Sequence, residues 1–341
     1  MSNFDENNWI NRRKTYKSKL TVDYFFDGII HQDIKIISSA ITLIESDLES
    51  DQLIARQLLD KCLLFSGKSF RIGITGVPGV GKSTFIEAIG LEYISKGKKV
   101  AVLSIDPSST STNGSILGDK TRMENLSKSK NAFIRPTSSG NQLGGIAKHT
   151  KETLLICEAA GFDIILIETV GVGQSETMVY EMSDFFLLLM LAGAGDELQG
   201  IKRGIIELAD SIIITKADCE NILQARKAVN SYKNALHLFP LKNNFWNPVV
   251  TMYSYLNMKS IQKVINIIDS FFENQEMILS KRKHQERFWV YQYLKDLIMN
   301  DINLLSKNKE FKVLKMLDKG EINSFEAAKI FYKTIKQNEK N

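Results

Sequence analysis

Between residues 66 and 272 two patterns alternate along the chain: short, near-continuous apolar runs rich in β-branched residues, and longer stretches with apolar residues at helical spacing. The short runs predict strands at Phe70–Thr75, Lys99–Ile105, Ala132–Arg135, Asp163–Ile167, Phe185–Leu191, Ser211–Thr215 and Pro248–Thr251. Runs without polar alternation are buried on both faces. The expected fold is therefore α/β, a mainly parallel sheet with helices on both faces. Residues 1–65 read as a helical region, with helix spacing over Asp33–Leu48 and Leu53–Leu64, and carry no evident chemistry beyond a cap on the next domain. Past residue 272 the pattern changes to long helices, so 273–341 is set apart as a C-terminal helical region. Its aromatic-rich stretch Phe288–Ile298 either packs on the domain or forms a dimer arm.

In a parallel sheet, ligands bind beyond the C-terminal strand ends. The first such end carries Gly76-Val77-Pro78-Gly79-Val80-Gly81-Lys82-Ser83, followed by Thr84 and a helix. This fits the phosphate-binding P-loop in both spelling and context. Its glycines let backbone N–H groups turn toward a phosphate chain at a helix N-terminus. Lys82 is placed to reach the β- and γ-phosphates, and the Ser83 hydroxyl to ligate Mg²⁺. Asp106 ends another strand and reads either as a metal-side carboxylate or as a turn-forming Asp-Pro; Asp119, in the glycine-bearing stretch 114–123, is a second candidate acid. Glu168 follows four apolar residues, the layout of the second metal-side carboxylate in P-loop enzymes. Gly171 and Gly173 then permit a hinge, and Gln174 beside it either orients water or sits exposed. Lys202 or Arg203 brings positive charge near the phosphates or is a solvated cation.

Lys216-Ala217-Asp218 follows a strand and resembles the guanine-reading motif, usually Asn-Lys-x-Asp. The Asp carboxylate accepts from guanine N1–H and from the exocyclic amine, donors that adenine lacks in that place. The Lys stem covers the base plane. Thr215 stands in place of the expected Asn, with the loss of an amide that would tie the base to the P-loop. Ser254-Tyr255-Leu256 is the expected last loop over the base.

Composition narrows the function classes. A net charge of +5, with Lys and Glu mixed along the chain, argues against nucleic acid as the main partner. Lys281-Arg282-Lys283 reads as a solvated helix face. Cys62, Cys157 and Cys219 are far apart and have no metal-ligand spacing, which fits a reduced compartment. The polar, acidic start of the chain resembles neither a secretory signal nor a transit peptide. The longest apolar run, Phe185 to Ala194, is too short to span a bilayer as a helix. A cytoplasmic protein without a membrane partner is expected.

Taken together, the P-loop, Asp106-Pro107-Ser108-Ser109-Thr110, the 114–123 stretch, Glu168–Thr177 and Gly193–Lys202 resemble the MeaB/ArgK family of P-loop GTPases, which includes the human methylmalonic aciduria type A protein. The resemblance covers roughly residues 30 to 300. It implies a P-loop NTPase of the SIMIBI class that binds GTP/GDP with Mg²⁺. Ser83, Asp106, Asp119 and Glu168 fall on metal-side positions, and 114–123, 168–177 and 193–204 fall on three switch regions. It further implies a homodimeric chaperone of an adenosylcobalamin-dependent acyl-CoA mutase, methylmalonyl-CoA mutase or an isobutyryl-type enzyme, gating cofactor loading and protecting or reactivating it. Departures from the family pattern are Thr215, the 137–142 loop and Ala192. Other readings are an ATP-using kinase or transport-system ATPase, and a metallochaperone GTPase. The second is disfavoured by the absence of Cys-x-Cys or His-rich motifs.

Overall fold

The computed structural model describes residues 20–46, 48–105, 122–137, 143–169, 175–192, 203–237, 239 and 246–338, apart from the side chains of 137, 143–148, 175, 203, 219, 300–312 and 334–338. The elements run α1 (Val22–Ile30), α2 (Ile34–Ile44), α3 (Glu49–Leu63), β1 (Phe70–Gly76), α4 (Lys82–Ser95), β2 (Val100–Ile105), α5 (Glu124–Ser127) and β3 (Ala132–Thr137). They continue with α6 (Leu143–Ala159), β4 (Ile164–Thr169), α7 (Ser175–Tyr180), β5 (Phe185–Leu191), α8 (Arg203–Leu208), β6 (Ser211–Thr215), α9 (Ile222–Leu236) and β7 (Val249–Met252). The last helices are α10 (Met258–Phe272), α11 (Gln275–Asp318) and α12 (Ser324–Asn338). Compact units comprise residues 1–283 and 284–341.

The seven strands among the described residues lie in one sheet of order β3-β2-β4-β1-β5-β6-β7, and every pairing is parallel. The order in which strands are added changes side around β1: β4, β2 and β3 lie on one side, β5, β6 and β7 on the other. This is the switch point at which open α/β sheets hold their ligands. Strands β2 and β4 are buried along their whole length, the reason their sequences are unbroken apolar runs.

Alternate residues of the strands feed different layers. Ile72 and Ile74 of β1 join Phe85 and Ile89 of α4 and Val264 and Ile268 of α10 in one buried cluster. On β5 and β6, Leu188, Met190, Ile212 and Ile214 meet Ala225 and Tyr232 of α9. The N-terminal helices α2 and α3 both pack on α6. Helices α1 and α2 have side-chain N-caps: Thr21 accepts from the Tyr24 N–H, and Asp33 accepts from those of Lys35 and Ile36.

The N-terminal strand ends are joined by buried charges. Arg71 makes a two-pronged ion pair with Glu158, at 2.8 and 3.0 Å. The buried Asp184 carboxylate accepts from the Arg71 backbone N–H at 2.9 Å and from Arg282 Nε and Nη2 at 2.7 and 2.6 Å. Arg282 also donates to the carbonyls of Gly67 and Ser69. Lys281 donates to the Asp184 carbonyl and to Asp210 Oδ2, and its ammonium lies 4.5 Å from the centre of the Tyr180 ring. The expectation of a solvated face at 281–283 is therefore corrected for Lys281 and Arg282, while Lys283 is exposed. Three like charges in sequence look like a surface run; here two of them neutralise buried carboxylates supplied by the loops before β5 and β6.

In the second unit, α12 opens with a reciprocal cap. Glu326 N–H donates to Asn323 Oδ1, and Asn323 N–H donates to Glu326 Oε2. Trp289 of α11 is buried, whereas Val290, Tyr291, Leu294, Leu297 and Ile298 are exposed. Among the described residues no helix is long and apolar enough to cross a membrane.

Candidate functional site

The C-terminal ends of β1, β4, β6 and β7 gather most of the residues singled out from the sequence. Strand β1 ends at Gly76, and α4 begins at Lys82 after a turn in which Gly79 and Gly81 have φ values of +78° and +92°. Side chains rarely adopt that backbone, so the two positions require glycine. At Gly76 the requirement is space: an added Cβ would lie 2.6 Å from the Leu189 carbonyl oxygen of β5. Within the turn, Val80 is buried, Ser83 half-buried, and Pro78, Gly79 and Thr84 exposed.

Lys82 folds back over this turn, its ammonium donating to the Gly76 and Val77 carbonyls at 2.7 and 3.2 Å. Burial holds its pKa below the ordinary lysine range, while the carboxylates of Glu168 and Glu176 pull it upward. Glu168 lies opposite Ile74 of β1 and Ser104 of β2 in the strand register, and its Oε1 accepts from Ser104 Oγ at 2.7 Å. Beside it, the Thr75 and Thr169 hydroxyls are 2.9 Å apart.

The end of β6 reaches the same loop. Thr215 Oγ1 donates to the Val80 carbonyl at 2.8 Å and to that of Met190 at 3.2 Å. The Thr215 hydroxyl thus ties the end of β6 to the P-loop, without the amide that would also tie in the base. Lys216 follows in the left-handed region, φ +52°, with its side chain exposed. That conformation is uncommon for a residue with a Cβ and concentrates at functional sites. The chain is held there from β7: Tyr253 N–H donates to the Ile214 carbonyl, and Ala217 N–H to that of Tyr253. Asp218 Oδ1 is buried and has no hydrogen-bond partner among the described residues.

The loop after β7 is braced by its own hydroxyls. Ser254 N–H donates to Ser260 Oγ, and Leu256 N–H to Ser254 Oγ, which leaves Tyr255 and Leu256 exposed. Tyr253 stacks edge-on against Phe85 of α4, with ring centres 4.9 Å apart. Its phenol is buried without a partner among the described residues, and burial, with Tyr255 and Asp218 adding to it, pushes its pKa up to about 12.

Asp106, Asp119, Gln174 and Lys202 lie outside the described residues, as does most of the three expected switch stretches. Four contributors escaped the sequence reading: Ser104 beneath Glu168, the Thr75–Thr169 pair, Tyr253 against Phe85, and Glu176 beside Lys82. Only Glu176 had a visible signal, an acid inside the Glu168–Thr177 stretch.

Comparison with known proteins agrees with this architecture. The family described as methylmalonyl Co-A mutase-associated GTPase MeaB matches residues 37–307. The GTPase ArgK of Escherichia coli is 43% identical over 269 residues, covering 78% of this chain and 81% of that one. The mitochondrial methylmalonic aciduria type A homolog of Mus musculus is 40% identical over 299 residues, covering 83% of this chain and 71% of that one. A crystal structure described as an LAO/AO transport system kinase superposes with a TM-score of 0.71 at 31% identity, covering 93% of this chain and 98% of that one. A parallel sheet carrying a P-loop at its switch point, with these relatives, places the chain in the MeaB family of P-loop GTPases.

Proposed function

We propose that this GTPase selects guanine through Asp218 and uses its nucleotide cycle to act as a chaperone of an adenosylcobalamin-dependent acyl-CoA mutase. The observation that carries the base assignment is Asp218 Oδ1, just past β6, buried and without a hydrogen-bond partner among the described residues. A buried acceptor without a donor costs about 1–3 kcal/mol, and guanine N1–H and its exocyclic amine supply donors. Adenine does not, so it would leave the cost in place. Exposed Lys216 covers the base plane, and the 254–256 loop borders it. The P-loop residues Gly76 to Thr84 hold the phosphates, with Lys82 leaving its carbonyl partners for the β- and γ-oxygens.

Ser83 and Glu168 offer oxygen donors of the kind Mg²⁺ takes, and Asp106 and Asp119 are assigned to the same side from the sequence. The ion would neutralise charge on the phosphate oxygens. Buried Glu168, held by Ser104, is suited to keep its carboxylate oriented toward that side. Gln174 and Lys202 are assigned to water orientation and to charge stabilisation during transfer.

Replacing Asp218 by Asn turns one acceptor into a donor. Affinity for GTP should then fall about 10–100-fold. A xanthine nucleotide, which carries a carbonyl where guanine has its amine, should gain. Competition binding with GTP, XTP and ATP reads this directly, and an unchanged ranking rejects the assignment.

The mutase partner is supported by the description of the family and by the name of the mouse relative. Residues 66–272 form the GTPase domain in this reading, 1–65 an N-terminal helical cap and 273–341 a dimer arm. The exposed apolar stripe from Val290 to Ile298 supports the arm. GTP turnover by the purified protein should rise when a purified methylmalonyl-CoA or isobutyryl-type mutase is added, with ATP inert. Turnover indifferent to both mutases removes the partner and keeps the GTPase; a monomer by sedimentation equilibrium removes the arm.

A further inference from the structure

We propose that Thr215 is a positioning residue that locks the base-reading end of β6 to the phosphate loop, and that this duty leaves it no donor for the purine N7. The inference rests on the guanine reading by Asp218 given above.

Thr215 is the last residue of β6 and only 2% exposed. Its hydroxyl owns one proton. Two carbonyls share it: Val80, in the turn between Gly79 and Gly81, and Met190 on the neighbouring strand β5. The phosphate-holding turn is thereby joined to the segment that carries Lys216 and Asp218, one and three residues further on. Toward a ligand, a hydroxyl with its proton already committed is an acceptor only. Guanine N7 and O6 are also acceptors, so Thr215 has nothing to offer that edge. A side-chain amide at this position would bring two N–H donors, enough for the loop carbonyl and for the base together. Purine discrimination in this chain therefore concentrates on the edge facing Asp218. A nucleotide whose N7 is replaced by C–H is expected to be accepted as well as the natural one.

The test is calorimetric titration of the full chain, with Mg²⁺, using GDP, 7-deaza-GDP and ADP. The expected result is GDP ahead of ADP by about 100-fold or more, with 7-deaza-GDP within about twofold of GDP. In Thr215→Asn, 7-deaza-GDP should drop about tenfold behind GDP, the worth of one added hydrogen bond. In Thr215→Val, which is nearly isosteric but has no proton to give, GDP and 7-deaza-GDP should weaken together by about tenfold, and Thr215→Ser should restore both. A natural chain that binds 7-deaza-GDP tenfold or more worse than GDP, while still preferring GDP to ADP, overturns the proposal and spares the guanine reading. Equal binding of GDP and ADP overturns the guanine reading and the proposal with it. Parent-like binding by Thr215→Val overturns the lock.

Discussion

Replacing Lys82 by alanine should lower the GTP turnover number by about 10²–10³-fold, the usual consequence of removing one preorganised charge from a transferring group. The ammonium has little else to do in the fold. Its hydrogen bonds go to two carbonyls of its own loop, Gly76 and Val77, only five or six residues away. Its burial makes the charge costly, as the lowered pKa records, and Glu168 and Glu176 offset that cost only in part. A phosphate chain over the turn supplies the anion that the site is short of. Because the loss falls on the charged nucleotide complex, the melting temperature of the free protein should stay close to that of the parent. Single-turnover hydrolysis and thermal unfolding, run side by side, check both statements. Turnover within about threefold of the parent would reject the role given to Lys82.

The largest stability effect is expected at the opposite end of the sheet. Asp184→Ala should destabilise the first unit by about 3–5 kcal/mol, because it strands a largely buried guanidinium and a backbone donor at once. Arg282 loses both carboxylate contacts, and the Arg71 N–H loses its acceptor. Among the described residues the remaining hydrogen bonds of Arg282 go to the Gly67 and Ser69 carbonyls. The exposed Lys128–Glu124 pair is a built-in control, since both side chains are about two-thirds exposed and solvent already satisfies them. Lys128→Ala should not shift the unfolding curve measurably. Denaturant unfolding of both variants decides the matter; equal curves would mean that the Asp184 cluster contributes no more than a surface pair.

Both experiments probe features that differ in how visibly they are written in the chain. Lys82 announces itself, because eight consecutive residues form the loop and neighbours in sequence are neighbours in space. The strands are visible for a similar reason. Burial on both faces demands unbroken apolar runs, and the observed ends differ from the expected ones by a residue or two, as at Val100, Thr137 and Met252. The misjudged Lys281 and Arg282 belong to the other kind. Asp184 lies 98 residues before Arg282 and Asp210 lies 71 before Lys281, and no periodicity links positions so far apart.

What the sequence determined by itself is local: the phosphate loop, the alternation of strand and helix, the acid near the end of β4 and the Lys-x-Asp after β6. Each depends on short-range backbone geometry or on one residue's chemistry. Only the tertiary structure decided which strands are neighbours, and with them the contacts that join distant segments. Ser104 meets Glu168 because β2 pairs with β4, and Thr215 reaches Val80 because β5 alone separates β6 from β1. A hydroxyl, unlike a glycine-rich turn, carries no signal of its partner. Its role is set by the direction in which the packed sheet points its single proton.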